Sequence, residues 1–482
     1  MTNIRAITGW SALALLLVAV SFAAGALWRH KAIIDAAKNP DRVLPHVPTP
    51  SATAARVEIA SSTAPLEFQS PRNRPFRPRE TLDTALLPLL KDTVPLPVEA
   101  GVGPGSGGGL VVVDDAIIVV DQSGKFAVVR DKGDRIGKLA LPDLPNNAAE
   151  YAKQAAPPRE IAPGVTINTG FVVHDVDFRR EAAGIRLLVS YEKFLPELKT
   201  TALTVSAILL NEVFAPLGAW EDIYRGQPLQ TEWYSGIAGG GRMLIRGDKL
   251  LLTVGDYNQD NVFMNSRLES QSPESDFGKV LSIDLRTKAR TIVSSGHRNP
   301  QGLTVTSSGT IYSTEHGPRG GDLLTRIVPG TNFGWPIVTL GTHYWSYQWP
   351  NRNVDTAGKT FTSPTYAWVP SIGASNLIEV AGFDRAWDKD LLVESLKAKS
   401  LYRIRLDGEN RVVYSEPIWI GERLRDIGSL SDGTLVLFTD SAKLIFLSVD
   451  AAKLAANKRE WPLPINPQTE INTPQTACVG CP

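Results

Sequence analysis

Four short stretches concentrate side chains able to recognise a ligand: "GHRNPQGL" (296–303), "EHGPRGGD" (315–322), "ESLKAK" (394–399) and "GERLRDIG" (421–428). In the first, an imidazole, a guanidinium and two amides crowd round a proline, where a connecting loop would ordinarily draw its polarity from Ser, Asp and Lys. Donors of this kind are directional and suit a planar anionic partner. Together the four stretches supply Arg298, Asn299, Lys397, Arg423 and Arg425. Like charges gathered in a partly dry cleft are costly without anions, and several carboxylates on one rigid ligand would satisfy them. The plainer alternative is that Arg423 and Arg425 pair on the rim with Glu422 or Asp426. In "HGPRGG" the carbonyls of Gly317 and Pro318 can face a hard cation such as Ca2+, with Glu315 and Asp322 stabilising the loop's charge. Glycine-rich turns also arise for backbone reasons alone.

Whatever positions these loops recurs along the chain. A turn residue or charge precedes a short β-rich run that ends in polar or charged residues: "DAIIVVDQSG", "IRLLVSYEKF", "DKLLLTVGDY", "GTIYSTEHGP", "DLLVESLKAK" and "GTLVLFTDSA". The apolar runs begin at Ala116, Leu187, Leu250, Ile311, Leu391 and Leu435, a spacing of about 64 residues that fits a propeller blade with generous loops. Runs such as "GRMLIR", "GKVLSIDL", "SLYRIRL" and "KLIFLSV" supply further strands, and no long helical pattern occurs between 100 and 450. The pattern predicts an all-β, six-bladed β-propeller over 101–452; a two-sheet sandwich explains the spacing poorly. Rim loops on such a scaffold are where function sits.

The remainder of the chain sets the context. Lys and Arg balance Asp and Glu at 50 each, which argues against a nucleic-acid partner. Residues 1–30 contain an uncharged run, Ile7 to Trp28, long enough to span a bilayer; it reads as a signal anchor, with "AGA" at 24–26 as a signal-peptidase alternative. Residues 31–100 read as a Pro/Ala/Ser-rich linker with a short amphipathic helix at "TLDTALLPLLK", and "GVGPGSGGG" as a flexible entry to the first strand. Residues 453–482 form a tail whose lone CxxC, Cys478 and Cys481, lacks the second pair a zinc site needs and the His that haem attachment needs.

The strings "GHRNPQGL", "EHGPRGGD", "NFGWP", "LLVESLK" and "RLRD", in that order between about 165 and 440, resemble the soluble quinoprotein glucose dehydrogenases and their bacterial aldose dehydrogenase relatives. The resemblance implies a six-bladed propeller that binds pyrroloquinoline quinone (PQQ) and Ca2+ on one face and oxidises aldoses to lactones. By motif, Arg298 and Asn299 would meet the quinone, Lys397, Arg423 and Arg425 the cofactor's carboxylates, and the Gly317 and Pro318 carbonyls the calcium. The apolar segment at 7–28 would place such an enzyme in the periplasm, held at the inner membrane, or secreted if the leader is cleaved; its substrate would be a sugar or related alcohol, and its electron acceptor is not identified.

The chain departs from the family where the chemistry is done. The family's base is a His three residues before the Gly of a "GR" strand; here Ala238 stands there and takes no proton. The glutamine-bearing loop has no counterpart in "VTINTGFVVHDVDF", Leu323 replaces an acidic residue, and Phe333 a Tyr. His174 is a substitute candidate for the base, although a strand-end His bonded to backbone is the commoner role; His297 and His316 belong to the cofactor loops, and His343 to an aromatic loop able to cover a sugar or a rim. Three readings follow: a PQQ-dependent sugar dehydrogenase with an altered base, a non-catalytic PQQ- or sugar-binding propeller, and a Ca2+-dependent lactonase, against which the clustered cations argue.

Overall fold

The computed structural model describes residues 79–154, 159–162, 165–167, 171–229, 238–260, 268–342 and 358–459. The chain divides into Met1–Ser61, which lies wholly outside the described residues, and Ser62–Pro482, which holds the propeller. The anchor at 7–28, His30, His46, His343 and the two cysteines lie outside the described residues. Among the described residues no helix is long and apolar enough to cross a membrane.

Six sheets make six blades, antiparallel throughout except for the short parallel pairing of Arg290–Ser295 with Thr331–Asn332, and each of the six repeated runs is the second strand of its blade. Those strands are Ala116–Asp121, Gly184–Leu195, Lys249–Val254, Ile311–Glu315, Leu391–Ser395 and Leu435–Thr439. Each pairs with an inner strand: Gly108–Val113, Val173–Glu181, Gly240–Arg246, Pro300–Val305, Ala374–Glu379 and Leu424–Ser429. Inner strands begin, and second strands end, at the same face, so the loops before the former and after the latter crowd one mouth.

The segment expected to be a linker helix is a correction. "RETLD" and "PLLKDTVP" form strands Arg79–Asp83 and Pro88–Pro95, and the second pairs antiparallel with Lys443–Val449 of the last blade. The propeller therefore includes Arg79–Pro95, and these strands close the ring by completing blade six. The physical reason is that both faces of "PLLKDTVP" are wanted: Leu89 packs between blades five and six, Val94 between blades six and one. Two-sided burial reads like amphipathy in a short window.

The same logic explains the unbroken apolar runs. In Ala116–Asp121 every residue is buried. Side chains alternate across a strand, so Ile118 and Val120 enter the core against blade two while Ile117 and Val119 enter the core against blade six. Six such clusters fill the six junctions. Each fully buried Ile, Leu or Val contributes about 1.5–3 kcal/mol.

Along the axis one guanidinium joins the ring. Arg242 donates to Asp175 at 2.6 Å, meets Asp426 at 3.0 Å and reaches the Gln301 carbonyl at 3.0 Å. Asp426 also accepts from the Leu110 N–H at 2.8 Å and from Asn376 at 2.6 Å. Residues from all six blades thus meet through one network, and a buried charge needs this degree of pairing.

Candidate functional site

The cationic loops converge at the mouth in two groups. In the first, His297 is fully buried and acts as a clamp: its Nε2 meets Ser294 Oγ and its Nδ1 meets Glu315 Oε2, both at 2.8 Å. Glu315 Oε1 accepts from the Arg298 N–H at 2.7 Å, which fixes the turn before blade four. Arg298 then donates to the Gly317 carbonyl at 2.8 Å, lies over the Trp335 ring at 5.6 Å, and keeps a buried Nε with no partner. Asn299 contacts His316 Nδ1 at 3.3 Å and accepts from Gln301 Nε2 at 2.8 Å and from the Gly240 N–H at 3.2 Å. The turn carrying Ala238 is therefore packed against a predicted cofactor residue.

In the second group, Asp440 stations two arginines. Its Oδ2 accepts from Arg423 Nε at 2.8 Å, and its Oδ1 from Arg425 Nε at 2.9 Å. The expected alternative pairings do not occur: Glu422 meets Lys443 and Asp426 meets Arg242. Two guanidiniums on one carboxylate leave a surplus positive charge. Burial pushes the Arg425 pKa down, and the neighbouring Arg423 and Arg242 add to this against the pull of Asp440. Arg423 also reaches the Leu396 carbonyl at 3.5 Å, next to Lys397, whose exposed side chain has no ion-pair partner among the described residues.

The two groups share one space. Asp322 ties their loops together, accepting from the N–H groups of Gly317 (3.0 Å), Gly373 (2.6 Å) and Ala374 (3.1 Å). The Gly373 turn in turn abuts the Lys397 backbone. His316 senses both groups: burial pushes its pKa down, with Asp322 opposing and both Arg298 and Arg425 adding to the depression. Its Nε2 is buried without a partner. Leu323 lies beside Asp322 on strand Asp322–Ile327, and the Phe333 ring packs at a tilt against His297, centroids 4.9 Å apart.

A planar polyanion fits this mouth, with an unpaired ammonium, a surplus guanidinium charge and an unsatisfied Arg298 Nε to receive it. A cation fits less fully. The Gly317 carbonyl already holds Arg298, Asp322 is occupied by backbone N–H groups, and no group of three or more His, Cys, Asp or Glu capable of holding a metal occurs among the described residues.

Sequence reasoning missed Asp440, Glu192, Tyr257 and Asp256. Their signal was the acidic ending of each second-strand run: Asp121, Glu192, Asp256, Glu315, Glu394 and Asp440. Five of these carboxylates hold loops or side chains at the mouth. Glu394 is the exception, fully buried with neither oxygen partnered, and burial raises its pKa well above the carboxylate range. Asp256 accepts from Trp335 Nε1 at 2.8 Å, and burial raises its pKa to about 7 against the pull of Arg298.

The described residues thus make a six-bladed propeller whose mouth carries arginine and lysine side chains. The sequence model of the glucose/sorbosone dehydrogenase family matches residues 111–447, and the chain belongs to that family. Among curated relatives it is 27% identical over 225 residues to the aldose sugar dehydrogenase YliI of Escherichia coli, covering 44% of this chain and 59% of that protein. It is 25% identical over 299 residues to quinoprotein glucose dehydrogenase B of Acinetobacter calcoaceticus, covering 46% and 62%. The chain thus spans less than two thirds of these relatives. A solved glucose dehydrogenase superposes with a TM-score of 0.57 at 26% identity, over 74% of this chain and 99% of that one. The PQQ-bound aldose sugar dehydrogenase of Streptomyces coelicolor shares the fold, with a TM-score of 0.52 at 19% identity, over 75% and 98%.

Proposed function

We propose that the chain is a PQQ-dependent aldose dehydrogenase of the periplasm, held at the inner membrane by residues 7–28, with its cofactor in the cationic mouth. The observation that carries this reading is the charge surplus: Arg423 and Arg425 share the carboxylate of Asp440, and Lys397 has no ion-pair partner among the described residues. Lys397, Arg423 and Arg425 would hold the cofactor's carboxylates, and Arg298 and Asn299 its quinone edge. Bound there, PQQ would supply a two-electron acceptor for hydride from the sugar's C1. Calcium belongs to the proposal at the Gly317 and Pro318 carbonyls, where the Arg298 hydrogen bond must first give way. The mouth's clamps, Glu315, Asp322 and Asp440, fix the donors before the ligand arrives, so little ordering cost remains at binding.

Ala238 favours a second reading, a propeller that binds the quinone or a sugar without oxidising it. One titration separates the two. The full-length chain is followed by absorbance as PQQ is added with and without Ca2+, and then a panel of aldoses. A bound quinone spectrum that bleaches with sugar supports the dehydrogenase; one that no sugar changes supports the quinone-binding protein; no bound spectrum refutes both the dehydrogenase and the quinone-binding reading, leaving calorimetric titration with the aldoses to decide sugar binding alone.

A further inference from the structure

The described residues contain a different imidazole close to the vacant base position. His174 is the second residue of the inner strand Val173–Glu181, at the mouth end of blade two, with its side chain 6% exposed. Its Nε2 lies 2.8 Å from Glu192 Oε1, and the Tyr257 hydroxyl donates to the same oxygen at 2.5 Å. Glu192 is fully buried and its Oε2 has no partner. A carboxylate only accepts, so Nε2 carries a proton toward Glu192, and in the neutral ring Nδ1 is the nitrogen that keeps its lone pair.

The turn that lacks the base is shaped around this group. A Cβ on Gly241 would sit 2.3 Å from His174 Cβ, and one on Gly239 would sit 2.9 Å from His174 Cε1 and 3.0 Å from the Tyr257 hydroxyl. Only a glycine run lets the Ala238–Gly241 turn lie on the imidazole while its Gly240 N–H reaches Asn299. The other two described histidines are unsuited. His297 has both nitrogens engaged in the core, and His316 lies among the positive charges of Arg298 and Arg425.

We infer that His174 is the general base of this chain, positioned by Glu192 and Tyr257, for the C1 hydroxyl of an aldose. This rests on the dehydrogenase reading above. In the step, the hydrogen on C1 would leave with its bonding pair as hydride, for which a bound quinone would be the two-electron acceptor, while the O1–H proton passes to His174 Nδ1. C1 and O1 become the lactone carbonyl, and Glu192 stabilises the imidazolium that forms. Glu192 is a positioning residue, since it acts through the ring.

The first test does not depend on turnover. In the full-length chain labelled with 15N-histidine and loaded with PQQ and Ca2+, His174 should show an unprotonated Nδ1 whose resonance moves when an aldonolactone is added. A protonated Nδ1 paired with a bare Nε2, or a ring that ignores the lactone, overturns the assignment. In kinetics, His174→Gln should lose roughly 10²–10⁴ in kcat/KM with the PQQ Kd unchanged. Glu192→Gln, which keeps the shape of the site, should lower the rate and move the limb of the pH profile that reports the base to lower pH. A structural role for Glu192 would leave that limb in place. A wild-type chain that oxidises no aldose refutes the dehydrogenase reading and this inference with it; an active chain whose His174→Gln variant keeps its rate and pH profile refutes this inference alone.

Discussion

Replacing Arg425 by Met discriminates between a built anion site and ordinary rim polarity. The Arg425 side chain is buried, donates from Nε (2.9 Å) and Nη2 (2.8 Å) to one oxygen of Asp440, and shares that carboxylate with Arg423. A ligand carboxylate placed there meets a desolvated guanidinium that is short of negative charge. Truncating one partner of a buried charge pair costs about 2–5 kcal/mol, which is roughly 30- to 5,000-fold in Kd. Lys397 is exposed, and a solvent-facing ion pair is worth about 0.2–1 kcal/mol, or roughly 1.5- to 5-fold. The assay is an absorbance titration of wild type, Arg425→Met and Lys397→Ala with PQQ at low and high salt. Arg425→Met should weaken binding far more than Lys397→Ala, and only the Lys397 deficit should close as salt screens the exposed charge. Thermal melts of the unliganded proteins serve as the control, since Met fills much of the arginine's volume. Equal losses for the two variants, or wild-type affinity in Arg425→Met, would refute the reasoning.

Three further outcomes follow from the described contacts. Arg242→Met strands Asp175 and Asp426 in the axis and should cost about 3–5 kcal/mol in denaturant unfolding, most of it recovered when both aspartates are also changed to Asn. Asp256 holds a proton in the folded chain up to about pH 7 and in the unfolded chain only up to about 4, so its contribution to stability falls as pH rises through that window. Across the whole window the loss is on the order of 4 kcal/mol, and Asp256→Asn should flatten the wild-type slope of stability between pH 4 and 7 by that amount. A chain beginning at Gly101 loses the strand that completes blade six, with buried Leu87, Leu89 and Val94, and at about 1.5–3 kcal/mol each it should unfold where a chain beginning at Arg79 melts cooperatively.

The propeller was legible because its six second strands are buried on both faces and so repeat as unbroken apolar runs. Only the ring closure escaped: "PLLKDTVP" sends Leu89 and Val94 into two different cores but stands alone, and nothing in a single window says that its partner, Lys443–Val449, lies more than 340 residues away. The loops of the mouth were legible by residue type, since Arg298, Asn299, Lys397, Arg423 and Arg425 are costly to gather without a ligand. Their carboxylate partners were not, because pairing is set by which strands adjoin in space. Arg423 and Arg425 stand beside Glu422 and Asp426 in sequence and take neither, both settling on Asp440 at the end of the neighbouring strand. The same principle bears on the base. The residue opposite Ala238 in space comes from another blade, 64 residues back along the chain, and the glycines at 239 and 241 record its presence only as an absence of side chain. A substitution that removes a catalytic group by motif therefore does not settle whether a site has lost its chemistry; what adjoins the gap in the ring does.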